Sequence, residues 1–186
     1  MPVEITPWLY LSSEKDVLQK LNHLQTELQI THVLSVNAMS PQRTNEIYWE
    51  LCSLGLEYVN VDGYDVEGYD MMGKHWNTCR EVLHSVRENY YNNLQQQDEV
   101  DEEESRTKSK VVVHCEAGQN RSGFIVGAAL LDLEGWTLVK TVTHLREKRG
   151  VLLTNKSFQV QLCQLADQLG RLGSVHGEDE MDMQLK

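Results

Sequence analysis

Val111-Val112-Val113-His114-Cys115-Glu116-Ala117-Gly118-Gln119-Asn120-Arg121-Ser122-Gly123 is the stretch on which the fold turns. Three successive β-branched residues read as a buried strand. A cysteine, a tight run containing Gly118 and an arginine six positions after the cysteine follow, and Phe124 to Leu133 (FIVGAALLDL) reads as a largely buried helix. A strand that hands a loop to a helix N-terminus makes a cradle of backbone N–H groups suited to an anion. Cys115 stands at the bottom of that cradle, where the helix dipole, the N–H groups and an arginine favour thiolate over thiol. Arg121 supplies a planar fork able to hold two phosphoryl oxygens at once. The plain alternative is a structural cysteine at the end of a core strand. Such a residue has no need of the glycine, arginine and hydroxyl that follow it.

Outward from this stretch, strands and helices alternate. Ile5 to Leu11 reads as one opening edge strand in which Pro7 is tolerable. Ser12 or Ser13 caps a helix with Val17, Leu18, Leu21, Leu24 and Leu28 on one face. His32 to Val36 is a second strand, Ile47 to Leu54 a short helix stopped by Gly55, and Leu56 to Val61 a third strand. The acidic loop Asp62 to Asp70 precedes a helix striped by Trp76, Cys79, Leu83, Val86 and Tyr90. After the signature stretch come a helix bearing Leu138, Val142 and Leu145, and a last one, capped by Thr154 or Asn155, with Phe158, Leu162, Leu165 and Leu169 inward. This order predicts an α/β fold, a central, mostly parallel sheet flanked by helices. Ligands of such sheets sit beyond the carboxyl ends of the strands, so Cys115 and the Asp62–Asp70 loop share one rim.

The chain has 186 residues, enough for one domain with a substantial core. It carries 17 basic against 28 acidic residues, net −11. Six acids fall within Asp98–Glu104 and four within Glu178–Asp182. Nothing in this balance suggests a nucleic-acid partner or an anionic membrane surface. The segment from about 93 to 110 is glutamine-rich, then acidic, then basic, with little to bury, and reads as a disordered insertion; 173–186 reads as a disordered acidic tail. The four cysteines (52, 79, 115, 163) have no metal spacing, and a thiolate nucleophile needs a reducing compartment. No signal segment or membrane-length apolar run is evident, which points to cytoplasm or nucleus. No metal and no cofactor are expected.

The run His-Cys-Glu-Ala-Gly-Gln-Asn-Arg-Ser resembles the signature loop of the cysteine-dependent protein phosphatases, and most of all the dual-specificity branch. Leu9-Tyr10-Leu11 is similar to the family's entry strand. The resemblance covers about residues 5 to 170 and implies a catalytic domain over 1–172, interrupted by the insertion. It implies that Cys115 attacks phosphorus, that the amides from Glu116 through Ala117, Gly118, Gln119 and Asn120 to Arg121 bind the phosphoryl oxygens, and that Arg121 clamps them. His114 is implied as a packing and hydrogen-bonding residue that orders the loop. Ser122 is implied to assist breakdown of the intermediate, with a helix-start hydroxyl satisfying a backbone group as the lesser alternative.

A phosphate ester also needs a proton delivered to its leaving oxygen and later taken from water, and one carboxylate can do both. Asp62, Asp65, Glu67 and Asp70 all compete, and chemistry alone does not rank them. The family pattern, a tyrosine, an aliphatic three residues on and the acid seven residues after the tyrosine, matches Tyr58, Val61 and Asp65. Asp65 is farther from Cys115 than the family interval, which removal of 93–110 restores. Asn155 is implied as a support for the cysteine loop, with helix capping as its other use. The implied reaction is hydrolysis of phosphomonoesters on protein tyrosine and serine/threonine. A lipid, RNA 5′-phosphate or glycan phosphate is the competing substrate class; lipid phosphatases resemble this loop with lysines where Glu116 and Gln119 stand. A rhodanese-like sulfurtransferase and a phosphoprotein-binding module with little turnover are the other classes. The acidic insertion could bind a basic partner.

Overall fold

A computed structural model of the chain describes residues 1–97 and 108–173. Its centre is a five-stranded sheet in the order β1-β2-β5-β3-β4, where β1 is Val3–Thr6, β2 Leu9–Ser13, β3 His32–Val36, β4 Glu57–Val61 and β5 Val111–Cys115. Only β1 and β2 pair antiparallel; β2, β5, β3 and β4 run parallel. Strand β5 lies in the middle with all five residues buried, as three consecutive valines require when both faces of a strand are covered. Its residues alternate between two cores. Val111, Val113 and Cys115 face one cluster with Phe124, Ile125 and Phe158, while Val112 faces a second with Val17, Leu24, Ile47 and Leu51.

Helices α1 (Glu14–Gln19), α2 (Leu21–Thr26) and α3 (Pro41–Ser53) cover the smaller cluster. Helices α4 (Asn77–Gln97), α5 (Arg121–Asp132), α6 (Leu138–Arg149) and α7 (Lys156–Gln168) cover the other. Helix α5 is the hub, with every residue from Ser122 to Leu131 buried, because its sequence is apolar all round. Gly127 lets α7 approach it closely: a Cβ there would lie 3.3 Å from Leu162 Cδ1.

Three expectations are corrected. The stretch 5–11 is not one edge strand but parts of two. The chain turns at Pro7-Trp8, where Trp8 is fully buried and its Nε1 donates to Glu134 Oε1 at 2.9 Å, so β1 takes the edge and β2 becomes interior. The single helix expected over 17–28 breaks at Lys20, whose backbone leaves the helical region at φ −130°, ψ 31°. The break lets Val17 and Leu24 both reach the same small core. The segment expected to lose order from Asn93 stays helical to Gln97, since Tyr91 and Leu94 pack on the large core and glutamine is a good helix former.

The remainder of the insertion, and the tail beyond Gly173, lie outside the described residues. The insertion's far anchor is firm: Lys110 N donates to Thr31 Oγ1 at 2.9 Å, and Lys110 O accepts from Thr31 and His32. Helix α4 starts just after the Asp62–Asp70 loop and runs about 30 Å away from that rim. Both anchors therefore sit at the amino ends of the parallel strands, opposite Cys115. No helix among the described residues is long and apolar enough to cross a membrane.

Candidate active site

Strand β5 ends at Cys115 and α5 begins at Arg121, so the intervening residues must reverse direction within one short loop. Gly118 makes this feasible. Its φ of +68° is the left-handed region, and a Cβ there would stand 2.4 Å from Ser12 O and 2.7 Å from Arg149 Nη2. Around it the loop carbonyls are turned outward. Ala117 O and Gly118 O accept from Arg149, at 3.5 and 3.4 Å; Gln119 O accepts from Leu153 N and Asn120 O from Phe124 N. A trans peptide points its N–H opposite its C=O. The N–H groups of Gly118, Gln119, Asn120 and Arg121 consequently point the opposite way to these held carbonyls. The amide of Glu116 does not join them: it donates to Asn37 Oδ1 at 2.9 Å, a correction to its expected place in the cup.

Cys115 is buried, and Ser122 Oγ donates to its Sγ at 3.1 Å. That bond accounts for the serine directly and leaves the helix-start reading unneeded. The Arg121 guanidinium is mostly buried beside the cup. Its Nη1 donates to Gly63 O at 3.3 Å, its Nη2 lies 3.5 Å from Glu116 Oε2, and its Nε is buried with no hydrogen-bond partner among the described residues. The Glu116 carboxylate is largely exposed, so this ion pair holds little energy and leaves the guanidinium free to turn. A cleft of about 500 Å³ opens next to it, lined by Glu14, Lys15, Asn37, Met39, Arg43 and Glu116.

The four competing acids separate cleanly. Asp62 accepts from Asn60 Nδ2 at 3.1 Å, Asp70 from Gly73 N at 2.7 Å, and Glu67 accepts from Lys156 N and Ser157 N at the start of α7. Asp65 alone of the four is tied to the cysteine loop, accepting from Asn120 Nδ2 at 3.1 Å and from Asn155 Nδ2 at 3.0 Å. Asn155 also caps α7, its Oδ1 accepting from Ser157 N and Phe158 N. It meets the cysteine loop through its backbone N–H, which donates to Asn120 Oδ1 at 3.3 Å.

His114 is fully buried; its ring nitrogens meet no partner at strict hydrogen-bond geometry among the described residues, and the Cys115 backbone is the polar group that interacts with it. Ser12 and Ser35 flank it in register on β2 and β3, with buried hydroxyls in the same condition. Burial pushes its pKa down to about 4, assisted by the Arg121 charge and opposed by the Cys115 backbone. The folded protein therefore holds the imidazole neutral, whereas the unfolded chain protonates it below about pH 6.5. A depressed folded pKa gives stability that is whole above 6.5 and is lost as pH falls toward 4, by roughly 3 kcal/mol. Urea unfolding of wild type and His114→Asn at pH 7.5 and 4.5 measures it. Wild type should lose the larger amount of stability between the two pH values, and equal losses would refute the assignment.

Asn37 and Arg149 shape the loop without having been legible as site residues. Asn37 lies just past β3, and its side chain bridges Glu116 N to Glu14 Oε2, 2.6 Å away. Arg149 ends α6 and also donates to Met1 O at 3.1 Å.

Comparison with known proteins places the chain by family and by fold. Residues 9–168 match the family described as dual specificity phosphatase, catalytic domain. Dual specificity protein phosphatase 26 from Homo sapiens is 29% identical over 162 residues, covering 87% of this chain and 65% of that protein. The chain thus spans about two thirds of the length of that relative. Among solved structures, human DUSP28 superimposes with TM-score 0.66 at 19% identity, covering 91% of this chain and 95% of the other. DUSP15 does so with TM-score 0.65 at 22% identity, covering 93% and 97%. Because that family match spans most of the chain and the fold is shared, the chain belongs to the dual-specificity phosphatase catalytic-domain family of cysteine-based protein phosphatases.

Proposed function

We propose that the chain hydrolyses phosphomonoesters on protein tyrosine and serine/threonine through a cysteinyl-phosphate intermediate. The observation that carries this reading is the meeting of Cys115, Ser122 and Asp65 on one rim, with Asp65 joined to the cysteine loop through Asn120. The Cys115 thiolate attacks phosphorus in line, and the S–P bond forms as the P–O bond to the substrate breaks. Protonated Asp65 gives its proton to the departing oxygen. The loop amides and Arg121, swung from Gly63 O onto the phosphoryl group, hold the equatorial oxygens as charge moves. Water then attacks phosphorus while the Asp65 carboxylate takes its proton. The S–P bond breaks, inorganic phosphate leaves, and the Ser122 hydroxyl receives the thiolate as leaving group.

The cysteine loop favours a peptide over a polyanionic head group. Glu116 and Gln119 stand where inositol-lipid phosphatases carry lysines, so a substrate bearing several phosphates finds less positive charge beside Cys115. The test is phosphate release from phosphotyrosine and phosphoserine/phosphothreonine peptides, run beside inositol phospholipid vesicles and a 5′-phosphorylated RNA. Peptides should be turned over with the higher kcat/KM. Faster turnover of vesicles or RNA would assign the other substrate class, and no release from any of them would leave a binding module.

A further inference from the structure

We propose that the side chain of Asn120 is a positioning residue that latches the Asp65 loop to the nucleophile loop, with Asn155 as the second arm of the latch. The inference rests on the reading of Asp65 as proton donor and goes beyond it, since it says what places that proton. The two amides grip different oxygens of one carboxyl group: Asn120 Nδ2 donates to Oδ2 and Asn155 Nδ2 to Oδ1. Neither amide can be reversed. Asn120 Oδ1 accepts from Thr154 N at 2.7 Å, Thr154 Oγ1 at 3.1 Å and Asn155 N at 3.3 Å. Asn155 Oδ1 accepts from Ser157 N, Ser157 Oγ and Phe158 N. Turning either group over would set NH₂ against donors and an oxygen against a carboxylate. The chain entering α7 thus fixes the oxygen end of each amide, and the nitrogen end is aimed at Asp65.

The loop needs such a hold. Tyr64 and Val66 on either side of Asp65 are both more than half exposed; the segment is pinned farther on, where Tyr69 packs on the core and meets the Tyr64 ring at 5.6 Å, and the Asp65 carboxyl group itself is held by the two amides. A carboxyl oxygen has two lone-pair directions, and one donor on each leaves the group able to exchange a proton with a leaving oxygen or a water. The backbone of Asn120 belongs to the cup while its side chain reaches the acid. One residue therefore carries both the surface that binds phosphate and the arm that sets the acid above it. The effect expected is on orientation, where displacement of a reacting group by about 1 Å costs up to about 10²-fold.

The experiment compares an aryl phosphate with an acidic leaving group and phenyl phosphate, whose leaving oxygen needs its proton. Asn120→Ala should lower kcat on phenyl phosphate about tenfold more than on the activated ester, the scale of a misplaced but present acid. Asn120→Asp keeps the acceptor for Thr154 and Asn155 but turns an oxygen toward Asp65, so it should show the same selective loss. In an Asp65→Ala background, Asn120→Ala should cause no further selective loss, because the latch then has nothing to hold. Equal losses on both esters, recovery in Asn120→Asp, or a full additional loss on top of Asp65→Ala would each overturn the proposal. If Asp65→Ala by itself loses no more on phenyl phosphate than on the activated ester, the reading of Asp65 has failed, and the latch with it. That failure is visible in the single variant and is distinct from a latch that fails while Asp65 behaves as an acid.

Discussion

Cys115→Ser should abolish phosphate release, by on the order of 10⁴-fold or more, the scale on which loss of a nucleophile acts when the rest of a site stays in place. The hydroxyl that replaces the thiol is a far weaker nucleophile near neutral pH and a poor leaving group in the second step. The loop amides and Arg121 do not depend on the sulfur. The carbonyls that orient those amides are held from outside by Arg149, Leu153 and Phe124. Vanadate or inorganic phosphate should therefore still bind the variant within about tenfold of wild type, a loss of one charge-assisted contact at most. Calorimetric titration checks the binding half and phosphate release the kinetic half. Turnover near the wild-type rate would end the covalent mechanism, whereas loss of binding together with turnover would show a collapsed loop.

Asp65→Asn should lower kcat by about 10²-fold, the usual contribution of a positioned general acid. The loss should shrink as the leaving group becomes more acidic, because an activated phenolate departs without a proton. The neighbouring acids are engaged elsewhere: Asp70 caps Gly73 N, Glu67 meets the start of α7, and Asp62 accepts from Asn60. None of them is placed to take over. A series of aryl phosphates of graded leaving-group acidity measures the slope directly. A parallel drop for all members of the series would remove Asp65 from proton transfer and reopen the choice among its neighbours.

The order of strands and helices and the central strand–loop–helix unit are legible in the sequence because their signals are local. Three valines, a cysteine, a glycine and an all-apolar helix occupy one continuous stretch, and each element's hydrophobic pattern states which faces it buries. The family pattern ranks Asp65 among its neighbours, a choice that the chemistry of four nearby carboxylates does not make by itself. What stayed hidden is long-range. Asn37 and Glu116 are 79 residues apart in the chain, and nothing in the periodicity near Asn37 points to that partner. Arg149 ends an amphipathic helix, where a basic residue already suits the dipole, so its reach to the carbonyls of Ala117 and Gly118 is not marked in the sequence. The turn at Pro7-Trp8 depends on a tryptophan reaching Glu134, and the break at Lys20 is marked by no glycine or proline.

The sheet's two ends differ in what they can absorb. At the carboxyl ends, the loops after β3, β4 and β5 are knotted together through Asn37, Asp65 and Asn120, and a residue added to any of them would disturb those hydrogen bonds. At the amino ends, Lys110 is clasped by Thr31 and α4 closes on its own packing, so the length of chain between them places no demand on that geometry. Closing a longer surface loop costs only about 0.6 kcal/mol per doubling. In such a build the amino edge is where chain length is free to vary, while the strand–loop–helix unit at the opposite edge keeps its shape.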